Sequence, residues 1–147
     1  MLAVNYGHSC IALEFENTKL LFDPFITLNS LAKHIDISQI KPDYILLSHG
    51  HSDHIADVFS IQKNNNATVI CIADMQGWLK DKGINKVHSM NIGGSCSFDF
   101  GRVKMVSAIH SSSMPDGSYG GNPAGGLLYM PQIKKYILPA ILHLPRI

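Results

Sequence analysis

Apolar positions along this chain come in short runs broken by polar turns, a spacing that suits strands more than long helices. Residues 4–6 and 11–15 read as strands. Glu16-Asn17-Thr18 is a polar turn, and residues 19–22 read as the return strand of a hairpin. Asp23-Pro24 ends that strand, because proline has no amide to continue a ladder. Residues 26–41 form a mixed connection with room for a short helical turn. Tyr44-Ile45-Leu46-Leu47, introduced by Lys41-Pro42-Asp43, is a continuous apolar run, the pattern of a strand covered on both faces.

A loop over 48–53 follows. Ile55, Val58, Phe59 and Gln62 then fall at helical spacing and predict a helix over 54–63, which Asn64-Asn65-Asn66 ends. Residues 68–72 repeat the buried-strand pattern. Asp74 is placed to cap a helix that runs to Lys82 and stops at Gly83. Residues 87–90, 95–100 and 103–108 read as further strands. Strands interleaved with helices and hairpins predict an α/β layered architecture. No internal repeat or linker divides the chain.

Composition narrows the classes. A chain of 147 residues, 46% apolar, can form one ordinary domain with its own core. The net charge of +1 and the lack of a Lys/Arg run argue against a nucleic-acid or anionic-membrane partner and leave a small-molecule substrate. No apolar run reaches the roughly 18 residues that span a bilayer. Met1-Leu2-Ala3-Val4 lacks the charged start of a signal peptide. Cys10, Cys71 and Cys96 are odd in number and not spaced as a CxxC pair. They read as buried reduced thiols, which suits a cytoplasmic protein. The pattern leaves the oligomeric state open.

The chemistry concentrates in Ser48-His49-Gly50-His51-Ser52-Asp53-His54, directly after the apolar run. Imidazole and carboxylate are ligands of zinc and similar divalent ions. His49 and His51 are two apart, so in extended chain their side chains point the same way. Gly50 would let the backbone bend between them. The loop follows a strand's carboxyl end, where open α/β sheets gather their catalytic groups.

The segment carries the H-x-H-x-D-H motif and resembles the metallo-β-lactamase superfamily. Tyr6-Gly7-His8-Ser9-Cys10 and Leu21-Phe22-Asp23-Pro24 resemble the opening strands of its small metal-dependent hydrolases, a branch similar to the ascorbate-phosphate lactonases. Ala108-Ile109-His110-Ser111 resembles the strand end that supplies a third histidine, and Gly121-Asn122-Pro123-Ala124-Gly125 the segment after it. The likeness covers roughly residues 3–125. It implies an α/β fold, the N-terminal portion of an αββα metallo-β-lactamase-type sandwich.

By that likeness His49, His51 and His110 hold a first metal, and Asp53 and His54 contribute to a second. Zinc is the first expectation, two ions per intact family member, although manganese, iron and nickel accept the same ligands. The implied reaction is hydrolysis of an ester, lactone, amide or phosphodiester by metal-activated hydroxide, with Asp53 as the catalytic residue that orients the nucleophile and handles its proton. His8 either lines the site or is a hydrogen-bonded structural residue. His34, His88 and His143 carry no motif. Asp23 reads as a residue that shapes its turn.

The resemblance fades after Gly125. Superfamily members continue with a Gly-Asp-Thr-like segment, whose Asp bridges both metals, and a later His. The expected division is therefore 1–125, the metallo-β-lactamase-like part, and 126–147, a tail outside the family pattern. Codon degeneracy allows Tyr136 to Ile147 to encode a Gly-Asp-Thr segment in a shifted frame, so a frameshift near Gly125 or Gly126 is the expectation. A chain so shortened would be poorly soluble and nearly inactive. The alternative reading is a non-catalytic remnant that binds one ion or none. Di-iron redox chemistry and a closed structural zinc site rank below these. Structural zinc sites are rich in cysteine, and the cysteines here are dispersed.

Overall fold

The first three strands form an antiparallel meander: β1 (Leu2–Gly7), β2 (Cys10–Phe15) and β3 (Thr18–Phe22). In this computed structural model residues 1–15, 17–130 and 133–138 are described. The β1–β2 turn is tight. Gly7 and His8 both take positive φ, 99° and 52°, and the ladder shifts register between Asn5 and Gly7.

The sheet continues in parallel through β4 (Tyr44–Leu46), β5 (Thr68–Ile72) and β6 (Val87–Met90), giving the order β1-β2-β3-β4-β5-β6. Ile45, Leu46 and Val69 to Ile72 are all buried. Consecutive side chains point to opposite faces, so both faces of these central strands are covered.

A second, antiparallel sheet has the order β10-β9-β8-β7. Its strands are β7 (Ser95–Phe98), β8 (Gly101–Ser107), β9 (Ala124–Met130) and β10 (Ile133–Leu138). The sheets pack together. Phe100 meets Phe15 and Tyr44 edge-on, with ring centroids 6.3 and 4.7 Å apart. Leu46 approaches the backbone of Gly126. Residues 126–130 thus take part in a strand of the second sheet; residues 131–132, 139–147 and with them His143 lie outside the described residues.

Among the described residues, three short α-helices, α1 (Ser52–Ile55), α2 (Val58–Asn65) and α3 (Met75–Asp81), and a 3-10 turn over Ile37–Gln39 complete the fold. Buried Met75 and Leu79 seat α3 on β5 and β6. Gly83, at φ 98°, follows α3 as the sequence suggests, whereas Asp74 makes no side-chain cap.

The single helix expected over 54–63 is divided, and Asp57 is the reason. Its amide donates to the Pro24 carbonyl at 3.0 Å instead of to the previous helical turn. Its buried carboxylate accepts from the amides of Ile26 (2.6 Å) and Thr27 (2.9 Å) and from the Thr27 hydroxyl (2.5 Å). Asp57 therefore ties the 24–27 loop to the start of α2, just after the helix that carries Asp53 and His54. Cys10 and Cys71 are buried as expected, while Cys96 is only partly covered. Among the described residues no helix is long and apolar enough to cross a membrane.

Candidate metal centre

The buried strand β4 delivers Ser48 and His49 to the carboxyl edge of the parallel strands. Ser48 is held on two sides. Its amide donates to Asp23 Oδ1 at 2.8 Å, and its carbonyl accepts from the Ala124 amide at 2.9 Å. His49 is fully buried.

Gly50 is required for close packing rather than for a bend. Its φ lies outside the left-handed region. A methyl on its α-carbon would sit 2.5 Å from Met114 Sδ and 2.8 Å from the Ser113 carbonyl oxygen. Glycine thus lets the His49–His51 loop lie against the loop after β8, which carries His110.

Two donor groups result. His49, His51 and His110 offer imidazole nitrogens that all lie within 4.8 Å of one another, as do the donor atoms of His8, Asp53 and His54. In the first group His49 Nε2 and His51 Nδ1 are 2.9 Å apart, and the His110 ring centroid lies 4.9 and 5.2 Å from those of His49 and His51. In the second, His8 Nε2 is 3.2 Å from His54 Nε2 and 3.3 Å from Asp53 Oδ2. The groups adjoin where the His49 and His54 rings stand 4.1 Å apart.

Hydrogen bonding behind the rings sets their tautomers. The Ser48 hydroxyl donates its one proton to Asp23 Oδ2 at 2.7 Å, so it can only accept from His49 Nδ1, 2.9 Å away. His49 Nδ1 is then protonated and Nε2 presents a lone pair. Asp23 Oδ2 also accepts from His54 Nδ1 at 3.0 Å, so that the neutral ring presents its lone pair at Nε2. His110 Nδ1 donates to the Ser111 carbonyl at 2.8 Å, with the same effect. Burial, reinforced by neighbouring His54, His51 and His110, pushes the His49 pKa down to about 3, so the ring is neutral across the physiological range.

This donor set fits a divalent cation. Ligand imidazoles must be neutral, and their second nitrogen is ordinarily anchored to a carboxylate, carbonyl or hydroxyl. His49 meets both demands, and His54 and His110 have their second nitrogen anchored by the bonds just described. The expected ligands His49, His51 and His110 are brought together, with Asp53 and His54 beside them.

Asp23 does more than shape a turn. It is 2% exposed, stands at φ 41°, and orients one imidazole in each group. Neither it nor Ser48 is singled out by sequence spacing, because their partners lie 25 and 31 residues away. A signal was available in the polar Ser48 that closes an all-apolar run. His8 joins the second group. His88 packs edge-on against Phe98, with centroids 4.9 Å apart, and His34 is exposed.

The pattern of the beta-lactamase superfamily domain matches residues 18–140. The chain belongs to the beta-lactamase superfamily. It is 53% identical over 120 residues to a UPF0173 metal-dependent hydrolase of Flavobacterium johnsoniae, covering 82% of this chain and 53% of that protein. It is 47% identical over 127 residues to a UPF0173 metal-dependent hydrolase of Methylacidiphilum infernorum, covering 86% and 56%. Among solved structures it resembles Igni18, a metallo hydrolase of the archaeon Ignicoccus hospitalis, with TM-score 0.74 and 28% identity over 87% of this chain and 55% of that one. The chain spans about half the length of the curated relatives it matches. Its layers are those of the N-terminal portion of the superfamily's αββα sandwich.

Proposed function

We propose that this chain carries the principal metal-binding part of a metal-dependent hydrolase. The observation behind this reading is the convergence of His49, His51 and His110 with the second nitrogens of His49 and His110 engaged in hydrogen bonds. These three would hold a first cation, and Asp53 and His54 would contribute to a second. A divalent cation in such a site supplies Lewis acidity and activates water at neutral pH.

The chain's own groups supply the rest. Asp23, through Ser48, keeps His49 Nε2 free to bind, and keeps His54 Nε2 free directly. Asp53 is about half exposed, so its carboxylate can meet water and hold a proton at Oδ1 during hydrolysis while Oδ2 faces the second donor group. The substrate class is a small ester, lactone, amide or phosphodiester. Zinc suits the three imidazoles. A cytoplasmic location follows from the free Cys10, Cys71 and Cys96, since oxidising compartments tend to pair cysteines.

The test is elemental analysis of the purified chain, with turnover of ester, lactone and phosphodiester probes before and after chelation. Bound zinc together with chelator-sensitive turnover supports the proposal. One bound ion without turnover selects the non-catalytic alternative, and no bound metal under zinc saturation rejects both.

A further inference from the structure

We propose that His8 is a ligand of the second cation, which in this chain would be held by His8 Nε2, Asp53 Oδ2 and His54 Nε2. The inference rests on the metal-dependent reading above and extends it to a residue that lies outside the H-x-H-x-D-H motif.

The distances carry it. Tetrahedral coordination with metal–ligand bonds of about 2.0–2.2 Å sets donor atoms roughly 3.3–3.6 Å apart. His8 Nε2 stands 3.2 Å from His54 Nε2 and 3.3 Å from Asp53 Oδ2. Both separations are close to a coordination edge.

Proton counting points the same way. His54 Nδ1 donates to Asp23 Oδ2, so in the neutral ring His54 Nε2 has only a lone pair. Asp53 Oδ2 as a carboxylate also has only lone pairs. A single proton on His8 Nε2 would have to serve both acceptors. A cation satisfies all three donor atoms at once.

The backbone holds His8 in place. Its φ of 52° is a region that residues other than glycine seldom adopt, and it follows Gly7 at 99° in the turn between β1 and β2. The His8 ring packs edge-on against Phe25 at 5.6 Å and His54 at 4.8 Å, and the 24–27 loop that carries Phe25 is tied down by Asp57. A simple surface ion pair between His8 and Asp53, 40% and 48% exposed, would contribute too little to account for a strained turn aimed at this point.

The experiment titrates the metal-free full chain with zinc against a chromogenic chelator, for wild type, His8→Ala and His8→Gln. Imidazole 15N spectra of the wild type follow the same titration and read His8 directly, so the result does not depend on the variants folding. The expected result is two ions on wild type, a second-ion affinity at least tenfold weaker in both variants, a first-ion affinity within twofold, and a coordination shift at His8 Nε2 at the second equivalent. Unchanged second-ion affinity in the variants, or a His8 Nε2 that does not shift, overturns the inference and leaves the proposed function standing. A wild type that takes one ion also overturns the inference alone. A wild type that takes none overturns both.

Discussion

Asp23 Oδ2 lies 3.0 Å from His54 Nδ1, in a position where it also receives the Ser48 hydroxyl that holds His49. One buried carboxylate thus sets the tautomer of an imidazole in each donor group. Asp23→Asn keeps one acceptor oxygen where the carboxylate has two, so it cannot serve both the Ser48 amide at the Oδ1 position and the Ser48 hydroxyl and His54 Nδ1 at the Oδ2 position. Loss of such an outer contact typically costs about 10–100-fold in metal affinity. Calorimetric zinc titration of Asp23→Asn is expected to show a loss of that size in both donor groups. A loss confined to one group would mean that the shared anchor is not shared in function.

Gly50 marks where the His49–His51 loop touches the His110 loop. Alanine there places a methyl against the Ser113 carbonyl, which cannot rotate away as the Met114 side chain can. Overpacking of this kind costs about 1–3 kcal/mol. Urea denaturation of metal-free Gly50→Ala should show a loss in that range. The same variant should bind zinc more weakly, because relief of the clash separates His110 from His49 and His51.

Asp57 joins the 24–27 loop to the start of α2. Asp57→Ala leaves the buried Ile26 amide and the Thr27 amide without their acceptor. An unsatisfied buried group costs about 1–3 kcal/mol, and since Thr27 is exposed to water the Ile26 amide sets the loss, so about 1–3 kcal/mol is expected in chemical denaturation. Asp57→Asn keeps a carbonyl acceptor and should recover part of it.

The thiols separate by burial. Burial pushes Cys10 and Cys71 up to about 12. Native protein at pH 8 should therefore take iodoacetamide at Cys96 alone, as read by peptide mass mapping. The sign of the alkaline effect follows from linkage. Unfolded thiols lose their protons near their usual value of roughly 8.5, while the folded ones keep theirs. Above that pH the unfolded chain binds fewer protons, so stability falls as pH rises toward 12, by up to about 1.4 kcal/mol per unit for each thiol.

What was legible in the sequence depended on how local the determinant is. Tyr44-Ile45-Leu46-Leu47 announces a strand covered on both faces because burial acts on each residue in turn. The motif from His49 to His54 is equally local. His110 approaches from the end of β8 and drew attention only through family likeness. The break in the 54–63 helix was hidden because Asp57 is satisfied by residues 30 and 31 positions away. Asp23 looked like a strand stop for the same reason: its partners are Ser48 and His54, contacts that topology makes and local spacing does not encode.

Of the three imidazoles proposed to share one ion, His110, which approaches from the second sheet, is the member to remove. Zinc affinity of wild type and His110→Ala, measured by chelator competition at neutral pH with matched thermal melts, tests this directly. The expected result is a loss of at least tenfold in the first ion's affinity with the fold intact. A folded variant that binds its first ion as tightly as wild type would contradict the account.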